Sequence, residues 1–177
     1  MPTISTAEAA TAKDENFDRI LREYGPALSR LAASYEPVIT QREDLLQEIA
    51  LALWRALPRF RGECSERTFI YRIAHNQGLS HAWRRHSVQQ PLEEIAESQE
   101  PVDPRPQPEE QAAQQHQRIR LVAAIQSLPV AYRQIVTLVL EDLSHAEIAD
   151  VLGISENNVA VRLNRARKAL KEALGVA

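Results

Sequence analysis

The chain has 177 residues, 44% of them hydrophobic and 25% charged, with a formal net charge of −3, enough for one ordinary domain or two small ones. Only 5 glycines and few β-branched runs point to an all-α fold. The single Cys64 excludes an internal disulfide, no apolar run approaches the roughly 20 residues of a membrane span, and the N-terminus lacks a signal-peptide core, so the sequence predicts a cytoplasmic protein.

Residues 1–15 are small and polar without apolar period, and are predicted to be a disordered lead-in. Phe17, Ile20, Leu21, Tyr24, Leu28, Leu31, Ala32 and Tyr35 then recur at helical spacing, with Gly25-Pro26 expected to kink or break the helix. A second amphipathic run, 43–57, sets Leu45, Leu46, Ile49, Leu53, Trp54 and Leu57 against Asp44, Gln47, Glu48, Leu51 and Arg55, and Pro58 ends it. Residues 59–65 form a short basic loop. A third helix, 66–86, interleaves Phe69, Tyr71 and Trp83 with arginines, a mixture that suits unpaired DNA, because bases stack on aromatic rings while cations follow the phosphates. By the usual burial of such side chains, Phe69 and Trp83 are assigned to the core.

Charge is segregated along the chain. Residues 88–117 carry seven carboxylates (Glu93, Glu94, Glu97, Glu100, Asp103, Glu109, Glu110) against Arg105 alone, a balance of −6, whereas 59–86 carry Arg59, Arg61, Arg67, Arg72, Arg84 and Arg85 against Glu63 and Glu66, a balance of +4. The local field steers nucleic acid, so the negative total does not exclude it. With Pro91, Pro101, Pro104, Pro106 and Pro108 and no apolar period, the acidic stretch reads as a disordered linker. About 30 such residues reach at most ~100 Å and average ~30 Å, so sites two DNA turns apart, ~70 Å, would require it stretched.

Beyond the linker, Ile119, Val122, Ile125 and Leu128 define one helix, and Pro129 opens another with Tyr132, Ile135, Val136, Val139 and Leu140 inward. The stretch 143–170 reads as a helix-turn-helix. Ser144 caps its first helix with Glu147 completing a capping box, Gly153 supplies a left-handed turn, and Ser155 caps the second helix. On that helix Val159, Leu163, Ala166 and Leu170 face inward, leaving Asn157, Val161, Asn164 and Lys168 outward, flanked by Asn158, Ala160, Arg162, Arg165, Arg167 and Lys171. Amides pair with adenine edges and guanidinium groups with guanine or phosphate, as a helix lying in a major groove requires.

Neither a nucleophile–base pair nor a phosphate-binding loop is present, which argues against an enzyme and against a cofactor. Cys64, His75, His81 and His86 match no common metal-site spacing, so no metal is expected.

Asp44-Leu45-Leu46-Gln47-Glu48, Leu53-Trp54-Arg55-Ala56-Leu57, Phe60-Arg61-Gly62-Glu63, the run from Arg67 through Phe69 and His75 to Asn76, and Arg84-Arg85 resemble region two of the extracytoplasmic-function (ECF) sigma factors of the sigma-70 family. The closing helix-turn-helix resembles their region four, in the right order. The resemblance implies two small helical bundles, 16–87 and 118–177, after a lead-in of 1–15 and joined by a linker of 88–117. It implies an alternative sigma factor that binds core RNA polymerase, directs it to promoters and assists their opening, with promoter DNA and an anti-sigma protein as further partners. The rival readings are a stand-alone helix-turn-helix regulator, which would bind a duplex operator unaided, and a sigma mimic that titrates an anti-sigma protein, which would have no use for Arg162, Arg165, Arg167 and Lys168. Carried over by position, Asp44, Gln47, Glu48, Leu51 and Trp54 would dock on the clamp helices of the large polymerase subunit. Phe60, Arg61, Asn76, Arg84 and Arg85 would bind the minus-ten element, with Phe60 and Asn76 holding a base flipped from the non-template strand. Asn157, Asn158, Val161, Arg162, Asn164, Arg165 and Lys168 would bind the minus-thirty-five element. The chain departs from the family pattern at Glu66, where an apolar residue is usual, at Phe69 in place of Trp, at Ser80 where Asp is frequent, and at Ala160 where a basic residue is common.

Overall fold

A computed structural model describes residues 6–88 and 109–175. These form seven α-helices: α1 (Thr6–Tyr35), α2 (Ile39–Ala56), α3 (Glu66–Val88), α4 (Glu109–Ser127), α5 (Val130–Leu140), α6 (His145–Leu152) and α7 (Glu156–Leu174), with a 3-10 turn, Leu57–Arg59, after α2. Among the described residues there is no strand, and no helix is long and apolar enough to cross a membrane.

The first half is a bundle of α1, α2 and α3. Ile20, Leu28 and Leu31 from α1, Leu45, Ile49 and Leu53 from α2, and Ile70, Tyr71 and Ala74 from α3 close one core, each at the helical spacing that puts it on a single stripe. Each buried Ile or Leu there contributes ~1.5–3 kcal/mol. The C-terminal end of α1 lies against α3 at Gly78, where an added Cβ would stand 2.5 Å from the Tyr35 ring. Tyr35 Oη shares a 2.8 Å hydrogen bond with His75 Nδ1 on the same side of α3. α2 starts at Ile39, ahead of the expected start at Glu43, because Glu36 folds back and its carboxylate accepts the backbone N–H of Val38 at 2.8 Å.

Several sequence expectations are corrected here. α1 begins at Thr6, within the expected lead-in, as its alanine-rich sequence favours. It also runs through Gly25-Pro26 without a break; Pro26 and Arg22 are both exposed, so water can replace the amide that proline lacks. α4 begins at Glu109, so the last residues of the expected linker, 109–117, are helical. The rest of that acidic, proline-rich stretch, 89–108, lies outside the described residues.

The second half packs α5 and α7 side by side, with α4 across α7 and α6 across the start of α7. Ile135, Leu138, Leu143, Ile148, Val151, Val159 and Leu163 fill one part of its core, and Ile125, Leu128, Val136 and Ala166 the other. Leu138 takes the inward place expected of Leu140, which is 55% exposed, and Ile119 is likewise exposed. The halves touch, α6 lying against α3 while α1 meets α4 and α5, and the core of the first half is continuous with the Ile135–Leu163 part of the second.

Candidate nucleic-acid interface

The helix-turn-helix is built by local chemistry. Ser144 Oγ accepts the Glu147 backbone N–H while the Glu147 carboxylate accepts from Ser144 N at 2.8 Å, closing a capping box at the start of α6. Those hydrogen bonds from the Ser144 backbone and hydroxyl hold the Glu147 carboxyl below the usual carboxylate range. Gly153 adopts φ +66°, the left-handed conformation that lets α6 stop within one residue, and Ser155 Oγ accepts from Asn158 N to start α7.

Val159, Leu163 and Ala166 anchor α7, with Leu170 half-buried, so its opposite side must face solvent. Asn157, Val161, Asn164, Arg165 and Lys168 are all exposed there. Arg162 and Asn158 are half-buried and engaged with each other, Arg162 Nε donating to Asn158 Oδ1 at 3.0 Å. That pairing holds the first turns of the exposed face in one arrangement and leaves Asn157, Asn164, Arg165 and Lys168 among its outward polar groups.

A second surface lies on α3. About 100° per residue brings Arg72, Asn76, Leu79 and Trp83 onto one side of the helix, opposite the buried Ile70, Tyr71, Ala74 and Ala82. Arg72 and Asn76 are exposed. Trp83, expected in the core, is 70% exposed, because the positions of α3 that meet α1 and α2 fall on its other side. Phe69 is half-buried and lies against Phe60, ring centroids 4.6 Å apart, at the mouth of the basic loop. A cleft lined by Arg59, Phe60, Arg61, Phe69 and Arg72 opens beside this pair, with Asp150 of α6 on its rim.

The two arginines at the C-terminal end of α3 are both paired with carboxylates, Arg85 with a buried one and Arg84 at the surface. Arg85 Nη1 donates to both carboxylate oxygens of Glu36, at 2.5 and 2.6 Å, and Glu36 is fully buried. His81 Nε2 lies 3.0 Å from the same carboxylate. Arg84 Nη2 meets Glu48 of α2 at 2.5 Å. Burial lowers the His75 imidazole to about 3, so it is neutral; His75 pairs with Tyr35 and His81 with Glu36, and no group of metal-binding side chains occurs among the described residues.

The outer side of α2 presents Asp44, Gln47, Leu51 and Trp54 to solvent, with Glu48 half-buried by its pairing to Arg84; Leu51 and Trp54 are 47% and 39% exposed. Acids and an amide beside an apolar edge form a surface able to receive another protein's helices. Pattern reading had no signal for Glu36 or for the solvent position of Trp83, since both are set by contacts distant in sequence.

An all-helical chain with an acidic, apolar-edged helix, an aromatic cleft among arginines and a capped helix-turn-helix has the parts of a two-part DNA-reading protein. Residues 20–88 match the family model for sigma-70 region 2, and residues 118–170 that for sigma-70 region 4. The chain is 28% identical to the RNA polymerase sigma factor CnrH of Cupriavidus metallidurans over 97% of its length and 93% of that protein's, and 30% identical to the ECF RNA polymerase sigma factor SigM of Mycobacterium tuberculosis over 90% and 77%. Its fold is similar to CnrH in complex with the cytosolic domain of CnrY (TM-score 0.68, 24% identity, 96% of this chain and 94% of that one) and to the sigma factor RpoE in complex with the anti-sigma factor NepR from Bartonella quintana (TM-score 0.70, 22% identity, 92% and 98%). The chain belongs to the ECF sigma factors, and it is an alternative sigma factor for RNA polymerase.

Proposed function

We propose that the two halves divide promoter recognition between them. The half containing α1–α3 docks on the clamp helices of core polymerase through Asp44, Gln47, Glu48, Leu51 and Trp54, and receives the opened minus-ten strand on the loop and α3. Phe60 backed by Phe69 offers an aromatic wall for an extruded base, Asn76 an amide edge, and Arg61 and Arg72 the charge for adjacent phosphates. Arg84 and Arg85 contribute through the ion pairs that hold the end of α3 to Glu48 of α2 and to Glu36 just after α1. The half containing α4–α7 lays α7 in the major groove of the minus-thirty-five element, where Asn157, Val161, Asn164 and Arg165 meet base edges, Lys168 meets phosphate, and the Asn158–Arg162 pair stiffens the helix start.

The observation that carries this reading is the exposed amide and cation side of α7 behind two capped helix starts, together with an acidic, apolar-edged α2 on the other half. The stretch between the halves serves as the tether that lets both elements be held at once. An anti-sigma protein is proposed as the restraining partner, by analogy with the two complexes above. Run-off transcription with purified core polymerase over a library of genomic fragments tests the reading. Discrete start sites that depend on the added chain and vanish with Asp44→Arg are expected; transcription indifferent to the chain contradicts it.

A further inference from the structure

We propose that Asp14 is a positioning residue for Trp54, and that the first turns of α1 thereby complete the polymerase-docking edge of α2; the inference rests on the docking role given above to Asp44, Gln47, Leu51 and Trp54. The sigma-70 region 2 match opens at residue 20, whereas α1 opens at Thr6, so these turns lie ahead of what the family model describes. α1 and α2 run antiparallel, joined through residues 36–38, which brings the start of α1 level with the end of α2. There the Trp54 indole Nε1 donates to Asp14 Oδ1 at 3.4 Å. Trp54 is 39% exposed and stands one turn beyond the exposed Leu51.

The start of α1 is itself held in place. Five residues beyond Asp14, Arg19 Nη2 donates to the Glu66 carboxylate at the start of α3 at 2.5 Å and to Asn16 at 2.8 Å, while its Nη1 meets Glu23 at 3.0 Å. Glu66 stands where the family usually has an apolar residue, so this link also departs from the family pattern. α1 is therefore tied to α3 on one side and, about one and a half turns earlier, to the edge of α2 on the other.

An indole on an exposed edge turns about two side-chain bonds. Tying its N–H to a carboxylate on a second helix narrows that freedom and keeps the ring beside Leu51, ready for a partner's helix. An aromatic anchor ordered before it binds loses less entropy on docking, an advantage of roughly three- to tenfold in affinity for one such side chain. Asp14 also puts a polar group at the apolar end of the edge, whose other end carries Asp44 and Gln47, so that Leu51 and Trp54 lie within a polar rim.

The test uses the full chain with Trp83→Phe, in which Trp54 is the only tryptophan. Asp14→Ala should lower the emission anisotropy of Trp54 in the free chain and weaken binding to core polymerase roughly three- to tenfold, with the urea midpoint unmoved because Asp14 is exposed. Asp14→Asn, whose amide oxygen still accepts the indole N–H, should keep both values close to those of the parent. In a Trp54→Phe chain, which has no N–H to hold, Asp14→Ala should weaken binding no further. Asp44→Arg and Leu51→Glu, measured alongside, report on the docking edge itself. If they abolish binding while Asp14→Ala leaves either the affinity or the anisotropy unchanged, the positioning role is refuted and the edge stands; if they leave binding intact, the edge is wrongly assigned and the proposal falls with it. An equal loss from Asp14→Ala in the Trp54→Phe chain would show Asp14 acting without Trp54, and would overturn the proposal.

Discussion

The outward face of α7 and that of α3, the two surfaces proposed to meet DNA, both carry cations and amides, yet they are made by opposite means. On α7 everything that sets the outward face is local: a serine cap, a left-handed glycine before it, an apolar stripe, and one Asn–Arg pair four residues apart. On α3 the face is set from a distance, by Glu36 more than 40 residues upstream, by Glu48, and by a tyrosine ring that needs Gly78 beneath it. The lesson is that surfaces made locally can be altered residue by residue, whereas those held from afar change along with the stability of the bundle.

Breaking the distant supports should therefore produce the largest effects. Glu36→Ala leaves Arg85 and His81 facing a buried void and should destabilise the α1–α3 bundle by about 3 kcal/mol, at the low end for a broken buried pair because Arg85 reaches solvent, as read by urea unfolding. Gly78→Ala, which drives a methyl into the Tyr35 ring, should cost about 1–3 kcal/mol in the same assay. Acid supplies a third probe. Burial lowers the folded pKa of His75 to about 3, so the unfolded chain takes up the proton first; stability is complete above roughly pH 6.5 and falls as pH drops below it. Up to about 2 kcal/mol should be lost between about pH 6.5 and 5, and His75→Gln should flatten that slope.

Substitutions on α7 sharpen the contrast, since they should leave stability alone. Arg165→Ala should weaken specific promoter binding by ~1–3 kcal/mol if it meets a base, with the unfolding curve unmoved. Lys168→Ala should lower the salt slope of binding by about 1 through one lost phosphate contact. If either instead shifts the unfolding midpoint, the face has been assigned to the wrong side of the helix.

The same division explains what could be read before any coordinates. Ser144, Glu147, Gly153 and Ser155 announce their roles because caps and turns are decided within four residues, and the structure places all of them as expected. The apolar stripes of α1, α2 and α7 were legible for the same reason. Trp83 was not: its side of α3 depends on which face α1 and α2 cover, and an aromatic residue is ordinarily inside. Leu140 and Leu138 exchange roles because the last turn of α5 rolls its final leucine outward ahead of Asp142, which adopts φ 57°. The ion pairs of Glu36 with Arg85 and of Arg30 with Glu141 span 49 and 111 residues, beyond any periodic signal.

The division of labour between the halves is tested most directly by size-exclusion chromatography with core polymerase, followed by footprinting on a promoter fragment with and without it. The chain should co-elute with core polymerase and protect both promoter elements only in that complex, and Leu51→Glu with Trp54→Glu should abolish both. A chain that protects a site unaided while passing through the column apart from polymerase would contradict the account.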